Sequence, residues 1–128
     1  MTEARVGPKT SPGLAAAAAL FHSLSDVTRL SIVRRLAADG EARVVDLVAE
    51  LGLAQSTVSA HVACLRDCGL VAGRPQGRQV FYALSRPELM DLLAGAETLL
   101  AATGNAAALC PVYGTDASVG TPVKESTR

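Results

Sequence analysis

Two stretches of helical periodicity, Val44 to Leu51 and Gln55 to Cys68, are separated only by Gly52-Leu53-Ala54. A turn of roughly three or four residues containing Gly between two helices is a helix-turn-helix, and so short a link leaves few other ways to arrange the pair. In the second stretch Val58, Val62 and Leu65 form an inward stripe, which leaves Gln55, Ser56, Ser59 and Ala63 pointing elsewhere. After Gly69 the apolar period changes from about 3.6 to about 2. Leu70 to Arg74 and Arg78 to Leu84 are short, rich in Val, Phe and Tyr, and flank Pro75-Gln76-Gly77, the pattern of a β-hairpin. Helix-turn-helix followed by hairpin predicts a winged helix-turn-helix, mainly α with one β-hairpin.

The flanking sequence supplies three more helices. Leu14 to Leu24 contains five consecutive Ala, with Ser11 as its expected N-cap and Pro12 in a tolerated first-turn position. Ser25 and Asp26 can cap a second helix carrying Val27, Leu30, Ile32, Val33 and Leu36, which ends at Asp39-Gly40. Arg86 to Thr103 then places Leu89, Leu92, Leu93, Ala96, Leu99 and Leu100 along one face, with Glu88, Asp91 and Glu97 away from it. The 128 residues suit one core. Residues 1–13 and 115–128, polar and without periodicity, read as disordered tails around a single DNA-binding and dimerisation domain at 14–114. In so small a domain the stripe on the last helix and the Ala-rich first helix are expected to meet a symmetric partner, a homodimer, with packing onto their own domain as the other option.

Twelve basic and twelve acidic side chains give zero formal charge, so any DNA contact has to rest on local charge. From 54 to 86 there are Arg66, Arg74, Arg78 and Arg86 against Asp67 alone, a net positive of three. A recognition helix enters the major groove with its first residues at the base edges, while a wing meets the backbone. Gln55, Ser56, Thr57 and Ser59 suit the first task, and Arg66, Arg74 and Arg78 suit phosphates, the last two bracketing the expected turn. Polar residues at a helix start also serve as caps, and Arg beside a turn also solvates an edge. Both features in one unit point to operator DNA. No apolar run approaches the roughly 18 residues a bilayer demands, and Met1 to Thr10 lacks the charged-then-apolar order of a secretory signal. A soluble, cytoplasmic protein with no membrane partner is expected.

Four ordered segments carry a resemblance: Leu24-Ser25-Asp26-Val27-Thr28-Arg29-Leu30, Gln55-Ser56-Thr57-Val58-Ser59-Ala60-His61-Val62, Leu65-Arg66, and Gly77-Arg78-Gln79-Val80-Phe81-Tyr82-Ala83-Leu84. Together they resemble the ArsR/SmtB family of metal-responsive repressors over about residues 14 to 110. The resemblance implies a dimeric winged-helix protein that binds operator DNA. Val27 stands where the family more often has Pro. Ala54 stands where it often has a capping Ser, which weakens the start of the recognition helix by about 1 kcal/mol.

Three Cys in an unexported chain argue against a disulfide framework and for thiol or metal chemistry. Cys64 and Cys68, four apart on a helix, lie on one flank, and Cys110 in the C-terminal tail can bring a third sulfur to them. Three thiolates without an obvious carboxylate form a soft site, which disfavours Mg²⁺, Ca²⁺ and Mn²⁺. Some family members place ligands at the start of the helix-turn-helix, where this chain has Ala42 and Arg43, and others place His on the last helix, where it has none. Cys-Leu-Arg-Asp-Cys-Gly at 64–69 plus a tail Cys resembles the CmtR-type cadmium and lead sensors. That resemblance implies a site joining Cys64 and Cys68 to Cys110 of the other subunit, with Cd²⁺ or Pb²⁺ as effector and Zn²⁺ or As(III) as alternatives. An arsenite-responsive repressor and a thiol redox sensor use the same cysteines. His61 is expected to face DNA or to pack, outside the metal site. An enzyme using Cys64 and His61 lacks an orienting third group or an oxyanion donor, so no catalysis is expected.

Overall fold

In a computed structural model, residues 11–109 are described. Cys110 and the expected C-terminal tail lie outside them. The chain runs α1 (Pro12–Leu24), α2 (Val27–Asp39), α3 (Val44–Leu51), α4 (Gln55–Asp67), β1 (Val71–Gln76), β2 (Gln79–Leu84) and α5 (Glu88–Ala102). The described residues form a winged helix-turn-helix: five helices and one antiparallel hairpin. α1 begins two residues before the boundary expected at 14, because Ser11 caps it by accepting a 3.1 Å bond from the Leu14 N–H and Pro12 needs no donor in the first turn.

α2 is the central element, packed on α1, α4 and β2. Its cap is Asp26, whose carboxylate accepts from the Arg29 N–H at 2.9 Å. Ile32, Val33 and Leu36 are buried from α2, Leu47 from α3, Val58, Val62 and Leu65 from α4, and Leu89 and Leu93 from α5, all in one cluster. The periodicity of α4 is therefore realised as written. Gly52 ends α3 at φ 70 and donates to the Val48 carbonyl, so the chain reverses within the expected turn into α4.

The hairpin turn sits later than the sequence predicts. β1 continues through Pro75 and Gln76, which pair with Val80 and Gln79, and the loop is Gly77-Arg78. Pro75 is tolerated because the sheet among the described residues has two strands, so a strand edge need not donate there. Gly77 takes φ 64, the left-handed value a tight two-residue loop demands. Arg74 consequently lies within the strand rather than beside the turn.

At the α3 N-terminus the Asp46 carboxylate accepts from the Arg43 backbone N–H at 2.9 Å and from its guanidinium at 2.8 and 3.0 Å. The Arg43 guanidinium and then its backbone N–H hold the Asp46 carboxyl down at about 2. A carboxyl lowered by folding stabilises the native state above its unfolded value near 3.9, and that contribution fades as pH falls toward the folded value. Asp46→Asn should therefore lower the urea midpoint at pH 6. The gap to the wild-type chain should close between about pH 4 and pH 2, and a gap that stays constant across that window would contradict the assignment.

Candidate DNA interface and thiol pair

α4 presents its first turn outward because its other side is committed to the core: Val58, Val62 and Leu65 are 0%, 2% and 0% exposed. Gln55, Ser56 and Thr57 are exposed and Ser59 is half-buried. Ala54, the N-cap, makes no side-chain hydrogen bond. Backbone N–H groups with no side-chain cap and small polar side chains thus share one open helix start, at the positive end of the helix dipole. Such a surface can accept phosphate oxygens and reach base edges.

The arginines are less uniform than their sequence positions suggest. Arg78 occupies the hairpin turn, exposed and without an ion pair among the described residues. Arg74 instead grips Glu41 with both arms of its fork, Nε to Oε2 at 2.9 Å and NH2 to Oε1 at 2.8 Å, and donates from NH1 to Gln76 at 2.7 Å. It lies over the Phe81 ring at 5.2 Å. Three of its five N–H donors are thus engaged within the protein, whereas Arg78 has no such partner among the described residues. Arg66 is exposed and pairs with Asp67 at 3.5 Å. Eleven residues separate it from Gln55, roughly 16 Å along the helix, so it lies at the end opposite that first turn.

His61 is half-buried and makes contacts within the protomer. Its Nδ1 is 3.1 Å from Arg29 NH1 and 3.9 Å from the Asp26 carboxylate. The same guanidinium donates to the carbonyls of Ser23 at 2.7 Å and His22 at 3.2 Å. Arg29 therefore joins the C-terminus of α1 to the side of α4. Sequence reading misses it because its partners lie in two other elements, α1 and α4.

Cys64 is half-buried and Cys68 is exposed, both as free thiols one helical turn apart near the end of α4. Cys68 is the C-cap, its N–H donating to the Cys64 carbonyl at 3.2 Å. Two adjacent sulfurs suit a soft ion, and Asp67 between them is paired with Arg66. Among the described residues no three His, Cys, Asp or Glu side chains converge on a metal position. Cys110 lies outside those residues, but the chain leading to it is described. Leu109 donates its N–H to the Glu97 carboxylate, and Arg34 donates to the Ala108 carbonyl at 3.0 Å. Leu109 lines a cavity of about 240 Å³ with Val27, Leu30, Ser31, Arg34 and Leu93, beside α2 rather than α4.

Residues 26–72 match the family described as bacterial regulatory protein, arsR family. The chain is similar to the probable mercury resistance operon repressor of Streptomyces lividans, 38% identical over 92 residues, covering 72% of this chain and 71% of that protein. It is similar to the HTH-type transcriptional regulator CmtR of Mycobacterium tuberculosis, 47% identical over 78 residues, covering 61% of this chain and 65% of that protein. Among solved structures, HlyU from Vibrio cholerae N16961 superposes with a TM-score of 0.61 at 33% identity, covering 70% of this chain and 97% of that one.

The bare cap of α4 is a correctable defect. Ala54 already has the extended backbone of a capping residue, at φ −63 and ψ 148. Ala54→Ser should add about 1 kcal/mol to unfolding in urea denaturation. An unchanged midpoint would mean that the first-turn N–H groups are already satisfied.

Proposed function

The chain belongs to the arsR family of bacterial regulatory proteins, and from that premise we propose that it is a dimeric, metal-responsive transcriptional repressor. In this reading the metal-free dimer holds operator DNA and is released when a soft ion, Cd²⁺ or Pb²⁺, binds Cys64, Cys68 and Cys110. The observation that carries the proposal is that the thiol pair rides on the same helix whose other end is open for reading DNA. Anything that ties the last turn of α4 to another segment constrains the first turn, because a helix moves as a rigid element.

Support for the two-fold assembly comes from what the protomer leaves uncovered. Leu14 is 61% and Phe21 57% exposed on α1, and Leu99 is 66% exposed on α5. An Ala-rich helix with apolar side chains in water is stabilised by a second copy. A two-fold dimer would set its recognition helices about 34 to 36 Å apart, in successive major grooves.

The names borne by the relatives, a mercury resistance operon repressor and CmtR, support a metal effector. The soft character of the thiols favours Cd²⁺ and Pb²⁺, with Zn²⁺ and As(III) as the competing ions. No helix among the described residues is long and apolar enough to cross a membrane. The relatives are transcriptional regulators rather than enzymes.

Coupling between the two sites is reciprocal: if ligation weakens DNA binding, operator DNA must weaken ligation by the same factor. Metal entry displaces thiol protons, so the apparent affinity falls as the solution is acidified. The deciding experiment titrates the operator complex with each ion in wild type, Cys64→Ser and Cys110→Ser. Wild type should dissociate with Cd²⁺ or Pb²⁺ and show a thiolate charge-transfer band, while both variants stay bound. Release of Cys110→Ser as readily as wild type would remove that residue from the site. Release by peroxide without any ion would favour the redox reading instead.

A further inference from the structure

The wing has little apolar burial to hold it in place. Every residue of β1 after Val71 is exposed, and β2 is at most half-buried. An isolated two-stranded hairpin is marginal in water, so its orientation depends on whatever ties it to the body. Three ties converge on the segment that enters α3. Ala42 exchanges backbone bonds with Tyr82, at 3.0 and 2.8 Å. Glu41, one residue earlier, holds Arg74 in a two-armed fork. Phe81, which faces Arg74 across the hairpin, has the Arg74 guanidinium at 5.2 Å and that of Arg43 at 5.8 Å from its ring centre.

We propose that Glu41 is a positioning residue for DNA binding: through Arg74 and Phe81 it locks the wing to the entry of α3 and so sets where Arg78 meets the phosphate backbone. The inference rests on the DNA reading above. A phosphate could displace Glu41 from the Arg74 fork, since guanidinium recognises both groups alike. That exchange would break two short bonds and leave the freed carboxylate facing the polyanion. The lock avoids this cost: the paired Glu41 is neutralised where the backbone passes, and Arg78 remains the exposed cation of the wing.

The test uses the full chain as wild type, Glu41→Gln, Arg74→Gln, the charge swap Glu41→Arg/Arg74→Glu, and Arg78→Gln. Thermal denaturation first confirms that each folds. Without DNA, amide hydrogen exchange at Ala42 and Tyr82 should accelerate roughly two- to fivefold in Glu41→Gln and Arg74→Gln, the range expected for losing an exposed ion pair, and return to wild-type rates in the swap. With a labelled duplex of about 30 base pairs, affinity should drop in both single variants and recover to within about twofold in the swap. Arg78→Gln should lower the salt slope by about one ion.

A swap that binds as weakly as Arg74→Gln, with a reduced salt slope, would make Arg74 a direct phosphate contact and overturn the proposal. Tighter binding by Glu41→Gln would make Glu41 a competitor of DNA, which also overturns it. Exchange rates unmoved by any variant would remove the lock itself. Failure of wild type to bind any duplex would instead refute the DNA reading, and the exchange rates would still decide whether the wing is locked.

Discussion

The burial of one stripe of α4 against α2 is the interaction on which the remaining features depend. Val58, Val62 and Leu65 close on Ile32, Val33 and Leu36 with almost no solvent access. A helix offers one such face, so committing it to the core fixes the rotation of α4 about its axis. The first turn is then directed outward with Gln55, Ser56 and Thr57, and Cys64 and Cys68 are left on the accessible flank. A rotation of one residue would bury polar groups without partners and expose Val58, each at a cost comparable to a large part of the stability of a small domain.

Electrostatic pairing does for charge what packing does for shape. The chain is formally neutral, yet its acids are spent on particular arginines: Asp39 and Glu50 on Arg35, Asp46 on Arg43, Glu41 on Arg74. Exposed pairs of this kind add little stability individually. Their larger effect is selection. They engage arginines at the root of the wing and leave the turn residue Arg78 without an ion pair among the described residues, so a neutral chain still presents local positive charge at the tip of its hairpin.

Two further connections bear on regulation. Arg29 bonds the carbonyls that end α1 and also touches His61 on α4, which links a helix with exposed Leu14 and Phe21 to the helix with the thiols. The segment after α5 is tied to α2 by the bond from Arg34 to the Ala108 carbonyl and back to α5 by the bond from the Leu109 N–H to Glu97. The residue preceding Cys110 therefore starts from a defined place on the protomer, beside α2. Under the proposed dimer, the distance from that place to each of the two Cys64–Cys68 pairs decides whether ligation stays within one protomer or crosses to the next.

Much of this molecule is legible from local pattern, because helix periodicity, capping and a Gly-containing turn are all properties of residues within a few positions of one another. The order of elements, the bounds of α3, the inward stripe of α4, the missing cap at Ala54 and the thiol spacing all follow from that. The hairpin register does not, since Pro75 reads as a strand end until the sheet is known to have only two strands. Nor does the fate of the arginines. Arg74 and Arg78 look alike four positions apart, and only the approach of Glu41, thirty-three residues away along the chain, gives one of them a partner and leaves the other open. The contact of His61 with Arg29 likewise exists only once α2 comes beside α4. Sequence spacing determines which side chains share a face of one element; which charges meet across elements is decided by the tertiary fold, because Coulombic and hydrogen-bond partners are chosen by distance in space.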